Sequence, residues 1–171
     1  MRTDDPRLEA ARKAMAERVE KFNALMLATI KGHLLIEQTI NEFLEASLSN
    51  ATHISGARFG FANKTRLCRA VSFDQSEDQL WTIIGCINGL RNAIAHGDSE
   101  DKIAKALRTL KSELLAYLTP EQAAGLKEQP DDRIVEAACF TCAARLVTLT
   151  GEAKERRKLL DEHSRPDDAK V

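Results

Sequence analysis

Aromatic residues are scarce, at 5% of the 171 positions with one Trp and one Tyr, and there are only 8 Gly and 4 Pro. The Gly and Pro counts exclude collagen-like and low-complexity chains. Few aromatics, together with the lack of β-branched runs in strict alternation, leave little from which to build strands. Neither sign of charge dominates: 25 Lys and Arg stand against 26 Asp and Glu, a formal net charge of -1. No global basic field therefore draws the chain to nucleic acid or to an anionic membrane, and any nucleic-acid contact must come from a local patch.

No apolar run approaches the length of about 20 residues that a membrane span requires, so no membrane association is expected. The start MRTDDPRLEA is too acidic and polar for a secretory signal. Cytoplasmic location with reduced thiols follows as the expectation. Cys139 and Cys142 have C-x-x-C spacing, but Cys68 and Cys86 lie far apart and no His at ligand spacing completes a zinc set. The cysteines read as small buried hydrophobes, with no metal and no cofactor expected.

What the chain does have is 43% apolar and 30% charged residues, at a length that buries roughly 70% of its unfolded surface. One globular domain over 1–163 is expected, with 164–171 a disordered tail. Ala, Leu, Glu, Lys and Arg recur at three- and four-residue steps, so the fold class is all-α, an up-down helical bundle. Pro6 suits a helix N-terminus, and Leu8, Ala11, Met15, Val19, Phe22 and Met26 line one side of the helix it opens. The pattern continues from Leu27 to Leu48, with Gly32 either a break or a bend. SNATHISGARFG reads as a loop before a short helix from Phe61 to Val71. Ser76 is the expected N-cap of a central helix whose apolar stripe is Leu80, Ile83, Ile84, Ile87, Leu90 and Ile94. Gly97 should end that helix, and Asp98 or Ser99 should cap the next, DKIAKALRTLKSELLAYL. Thr119-Pro120-Glu121 opens a short helix, and a final helix runs from about Asp132 toward Glu162.

Opposite its apolar stripe the central helix carries Gly85, Gly89 and Ala93 at four-residue spacing, beside Asn88, Asn92 and His96. Each Gly costs a helix about 1 kcal/mol relative to Ala, so two on the non-core face imply close approach of another backbone. A homodimer placing Gly85, Gly89 and Ala93 at a two-fold interface is the expectation; the other reading is an intrachain contact. Arg91 and His96 can converge at the helix C-terminus, where the dipole favours a protonated imidazole. An Arg that binds phosphate and a His that moves a proton suit phosphodiester chemistry, with the 2′-OH of RNA as nucleophile and no metal.

Arg91-Asn92-Ala93-Ile94-Ala95-His96 matches the R-N-x-x-x-H signature, and the chain resembles the HEPN superfamily of helical domains over roughly Ala24 to Leu118. The preceding KGHLLIEQTINEFL and FANKTRLCRAV also resemble the mannitol-operon repressor branch. The resemblance implies a dimer in which the motif helices face each other, with Arg91 and His96 as the catalytic pair and Asn92 orienting them. It also implies a polar residue from the earlier long helix beside the pair, here Glu37 or His33. Members of this superfamily are metal-independent endoribonucleases of toxin–antitoxin, abortive-infection and RNA-processing systems, or non-catalytic RNA-binding and regulatory domains. Members paired with a nucleotidyltransferase antitoxin usually carry Tyr two residues after the His, whereas Asp98 stands there in this chain. That departure puts the standard pairing with an operon-encoded antitoxin in doubt.

RNA would need a positive surface, and Arg58, Lys64, Arg66 and Arg69 form the only basic cluster free of acidic neighbours. Phe59 and Phe61 within it either stack on bases or anchor the short helix in the core. Two functions are thus expected from the sequence. One is a homodimeric, metal-independent endoribonuclease in stress or defence. The other is a non-catalytic module of the same type that regulates transcription or binds RNA or a protein partner.

Overall fold

The computed structural model describes residues 6–55, 59–72 and 78–163, with no strand among them. The expected N-cap Ser76, the basic Arg58 and the tail 164–171 lie outside the described residues. The helices are α1 (Pro6–Ser47), α2 (Thr52–Ser55), α3 (Phe61–Val71), α4 (Asp78–Ala95), α5 (Glu100–Tyr117), α6 (Pro120–Leu126) and α7 (Asp131–His163). The all-α reading holds, and so do the places of α3, α4, α5, α6 and α7. The SNATHISGARFG segment contains the single turn α2.

Helix α1 passes through Gly32 without a break, and the glycine serves another purpose. A Cβ built there would sit 2.8 Å from Cys139 Cβ and closer still to its Sγ. At position 32 α7 thus comes so close to α1 that only a residue without a side chain permits the approach. With Arg157 near the Leu48 carbonyl (Nη1–O 3.4 Å), this contact also fixes α1 and α7 as parallel. They make the most extensive helix pair in the fold.

The apolar stripe of α4 is buried as its spacing predicts: Leu80, Ile83, Ile84, Ile87 and Leu90 are inaccessible to solvent, and Trp81 and Ile94 nearly so. Each such side chain stabilises the fold by about 1.5–3 kcal/mol. Helix α4 touches α1, α3, α5 and α7, which makes it the central helix. Its C-terminus is closed by a Schellman motif. Asp98 N–H donates to the Ala93 carbonyl at 2.9 Å and Gly97 N–H to that of Ile94 at 3.1 Å, with Gly97 at φ 64°. Thr119 and Gln122 form a capping box at α6, with Pro120 in the first turn. Ser99 stands at the N-cap of α5 without a side-chain cap bond.

One apolar stripe is left uncovered here, and one sequence expectation is corrected. The stripe from Leu8 to Phe22 is amphipathic but covers nothing: Leu8, Met15, Val19 and Phe22 are all exposed. Helix α7, conversely, is long and apolar enough by composition to cross a membrane, against the expectation of no such run. Half of that stretch is buried, with Ile134, Val135, Ala138, Cys139, Cys142 and Leu146 in the core, as in a core helix of a globule.

Candidate functional site

Three helices meet at His33. It is buried on α1, its Nε2 lies 3.3 Å from Oδ1 of Asn88 on α4, and its ring lies 4.1 Å from that of Phe61 on α3. Burial holds the imidazole below its ordinary pKa; the Asn88 bond pulls the other way, and the nearby Arg91 guanidinium adds to the lowering. One turn along α1, Glu37 is paired with Lys64 of α3 at 2.8 Å, both partly buried. These contacts run in step, 33 with 61 and 37 with 64, so α3 is parallel to α1. Helix α4 starts beside α3, where Asp78 pairs with Arg69 at 2.8 Å, and reaches Asn88 at His33, so it runs antiparallel to α1.

Beyond Asn88 the next turns of α4 carry Arg91, Asn92 and His96. Arg91 is exposed, and its Nη1 donates to Oδ1 of Asn92 at 3.1 Å. Asn92 thus holds the arginine rather than the histidine. His96 is the last residue before Gly97; its backbone N–H closes on the Asn92 carbonyl at 2.9 Å, and its ring is exposed. Asp98, two residues after His96, carries an ion pair to Lys102 at 3.4 Å rather than a cap bond for α5.

Gly85 and Gly89 are exposed, and a Cβ at either would meet nothing within 4 Å. No other part of the described chain covers them, so no contact among the described residues explains them. Ala93 does not share their face: it is buried in the core. A step of four residues turns 40° past a full helical turn, so the third member of the series has rotated off the face of the first.

The basic residues divide. Lys64 is engaged with Glu37, and Arg69 with Asp78, whereas Arg66 leans on Asn63 at 3.3 Å. Arg66 and Arg69 nevertheless line a shallow groove of about 270 Å³ between α3 and α4 with Phe61, Thr65, Gly85 and Asn88. Phe61 is therefore partly a core anchor and partly a groove wall, and Phe59 is exposed. The groove joins the basic helix to Gly85 on the open side of α4.

Comparison with family models, curated proteins and solved structures finds no match. The site must be read from its own residues. Asn88 is the member that the sequence did not single out as functional, although it stands one turn before Asn92 on the same ridge of α4. Among the described residues no group of three or more His, Cys, Asp and Glu is placed to hold a metal. Cys68 and Cys139 are pushed up to about 12 by burial, and Cys142 is raised as well, so these thiols are poor nucleophiles.

Proposed function

We propose that this chain is a HEPN-type RNA-processing domain, with Arg91 and His96 acting on a phosphodiester at the exposed end of α4. The observation that carries this reading is the Arg91–Asn92 bond, which anchors a guanidinium at the exposed end of the central helix, where His96 also stands. In the proposed reaction Arg91 binds the phosphate and offsets the charge of its transition state. His96 transfers a proton between the 2′-OH, the bridging oxygens and water. Asn92 positions Arg91, and the buried His33–Asn88 pair fixes the turn of α4 beneath it. A homodimer brought together on the open Gly85–Gly89 face would set two such ends into one cleft.

The test is RNA decay in EDTA with single-stranded RNA of mixed sequence. Arg91→Ala and His96→Ala should each lower the rate by about 100-fold or more, without loss of stability, since both side chains are exposed. Equal decay in wild type and both variants would overturn the enzyme reading.

A second reading rests on a different observation. Among the described residues no side chain holds the His96 imidazole, and Lys64 and Arg69 are already paired with acids. That arrangement suits a non-catalytic regulatory module that binds RNA or a protein, cytoplasmic like the enzyme of the first reading. RNA binding by wild type with no cleavage would select it.

A further inference from the structure

Gly85 is an exposed glycine within a helix, and a Cβ there would meet nothing within 4 Å. It lines the groove between α3 and α4. A glycine so placed lets a ligand come up against the helix backbone. Ala62 and Thr65 of α3 stand across from it, and Trp81, only 5% exposed, closes the groove from below. Phe61 and Asn88, both in contact with His33, mark one end; Arg69, paired with Asp78, marks the other.

Charge narrows the choice of ligand. Glu42 and Glu45 line one further groove, Asp132 and Glu136 a second, and Glu152 a third. The α3–α4 groove has Arg66 and Arg69 in its wall and no carboxylate, which favours an anion. Arg69 is held by Asp78, whereas Arg66 leans on the neutral amide of Asn63, so Arg66 is the cation with charge to offer. At about 270 Å³ the groove falls just short of the roughly 300–1,000 Å³ of drug-sized sites, so it admits one planar ring system rather than a whole dinucleotide. A nucleotide is an anion that carries such a ring.

The polar groups of the groove fit a base. His33 occupies Oδ1 of Asn88 and so leaves its Nδ2 hydrogens to donate. Thr65 donates its hydroxyl proton to the Phe61 carbonyl at 3.0 Å, so toward the groove its oxygen accepts. Every nucleobase presents an acceptor and an N–H on its Watson–Crick edge, and that edge is free only in an unpaired base. The pair therefore suits a single strand without choosing its sequence. His33 lies against one side of the Phe61 ring, at 4.1 Å, and the ring still lines the groove, which leaves its other side for a base to stack on.

We propose that this groove is a nucleobase subsite: one unpaired base of an RNA strand enters between α3 and α4, against the Gly85 backbone and Phe61, while Arg66 takes its phosphate. For the identity of the strand the proposal rests on the RNA reading of the Arg91–His96 end. His33 borders both places, bonded to Asn88 and close to the Arg91 guanidinium. Along α4, Asn88 and His96 are eight residues, about 12 Å, apart. Gly89 does not line the groove. A second copy seated on Gly89 and the turns beyond it thus leaves the slot open at the rim of the cleft.

Trp81 is the one tryptophan of the chain, so its fluorescence reports on the groove. Full-length His96→Ala protein in EDTA, in which the strand stays whole, is titrated with oligouridylate and oligoadenylate. Both should quench Trp81 with the Kd that filter binding gives, and 5-iodouridine in the strand should photo-cross-link to Phe61 or Trp81. Gly85→Leu fills the slot from α4 and should abolish the quenching and raise Kd about tenfold, the loss of one stacked base. Ala62→Leu fills it from α3, away from any contact on the Gly89 side, and should do the same. Arg66→Gln should lower the slope of log K against log salt by about one unit. Bound RNA that leaves Trp81 unquenched and cross-links elsewhere would overturn the subsite even if wild type cleaves RNA. Quenching by RNA that wild type does not cleave would uphold the subsite and reject the enzyme. Duplex RNA, or uridine monophosphate alone, bound as tightly as the single strand would also overturn the proposal.

Discussion

His33 and Asn88, 55 residues apart in sequence, meet where α1 crosses α4, with imidazole Nε2 3.3 Å from the carboxamide oxygen. That oxygen only accepts, so the ring donates Nε2–H to it. Burial disfavours the charged ring and moves its pKa below the ordinary 6.5. Below that pH the unfolded chain takes up a proton that the folded chain resists. The contribution is thus fully present above the ordinary imidazole value, falls as pH drops below it, and levels off once His33 protonates in the fold. Urea denaturation at about pH 8 and about pH 5 should show a loss that His33→Gln diminishes. Asn88→Ala, which leaves the buried ring without its acceptor, should cost about 1–3 kcal/mol.

The approach of α1 and α7 makes Gly32 a sensitive position. Gly32→Ala would ordinarily strengthen a helix by about 1 kcal/mol. Here the new methyl meets Cys139 Sγ and Cβ, the latter at 2.8 Å. Overpacking of this kind costs about 1–3 kcal/mol, so the net effect is a destabilisation visible in urea melts. Cys139→Ala on top of it removes the sulfur but not the Cβ, so it should restore part of the loss. A more stable Gly32→Ala protein would show that the helices slide apart freely.

Gly32 also shows where sequence reading stops. A glycine in a helical pattern signals a break, a bend or a close approach, and the sequence cannot tell which without the neighbouring helix. By contrast, the α4 stripe, the Gly97 stop and the Thr119 cap were legible because each is decided by residues within one or two turns. At the site, the placement of Arg91, Asn92 and His96 at one helix end followed from spacing alone. Which side chain Asn92 holds did not, since Arg91 and His96 are both within its reach. The pairing of Lys64 with Glu37 and of Arg69 with Asp78 joins residues on different helices, so the basic cluster looked freer in sequence than it is. Periodicity showed an apolar stripe on the first half of α1 but could not say whether the bundle covers it.

Gly97 has the one positive φ among the described residues, at 64°. A Cβ in that left-handed conformation costs about 1–2 kcal/mol. Gly97→Ala should therefore lower the thermal midpoint by a few degrees, given about 2–4 °C per kcal/mol for a chain of this size. His96 immediately precedes this turn, so in the RNA reading the same variant should also slow cleavage. Gly89→Ala, which adds a methyl into open space at an ordinary helical position, should stabilise the monomer instead.

Asn92 holds Arg91 by one hydrogen bond at 3.1 Å on an exposed surface. Losing such a bond costs stability about 1 kcal/mol or less. Asn92→Ala should thus leave the fold nearly unchanged while Arg91 loses its anchor. In single-turnover cleavage the variant should fall about tenfold, less than the loss from removing Arg91 itself. An Asn92→Ala protein as fast as wild type would mean that Arg91 needs no positioning.

Lys64 is the basic residue of α3 most tightly held, 2.8 Å from Glu37 with both side chains partly buried. Glu37→Gln keeps the shape of the pair and removes the charge that holds the ammonium in place. If RNA follows the groove between α3 and α4, the freed Lys64 adds one phosphate contact at its edge. RNA affinity should then rise, and the slope of log K against log salt should steepen by about one unit. Filter binding across a salt series reads both quantities at once. An unchanged slope would place the RNA path away from Lys64, along Arg66 and Arg91 alone.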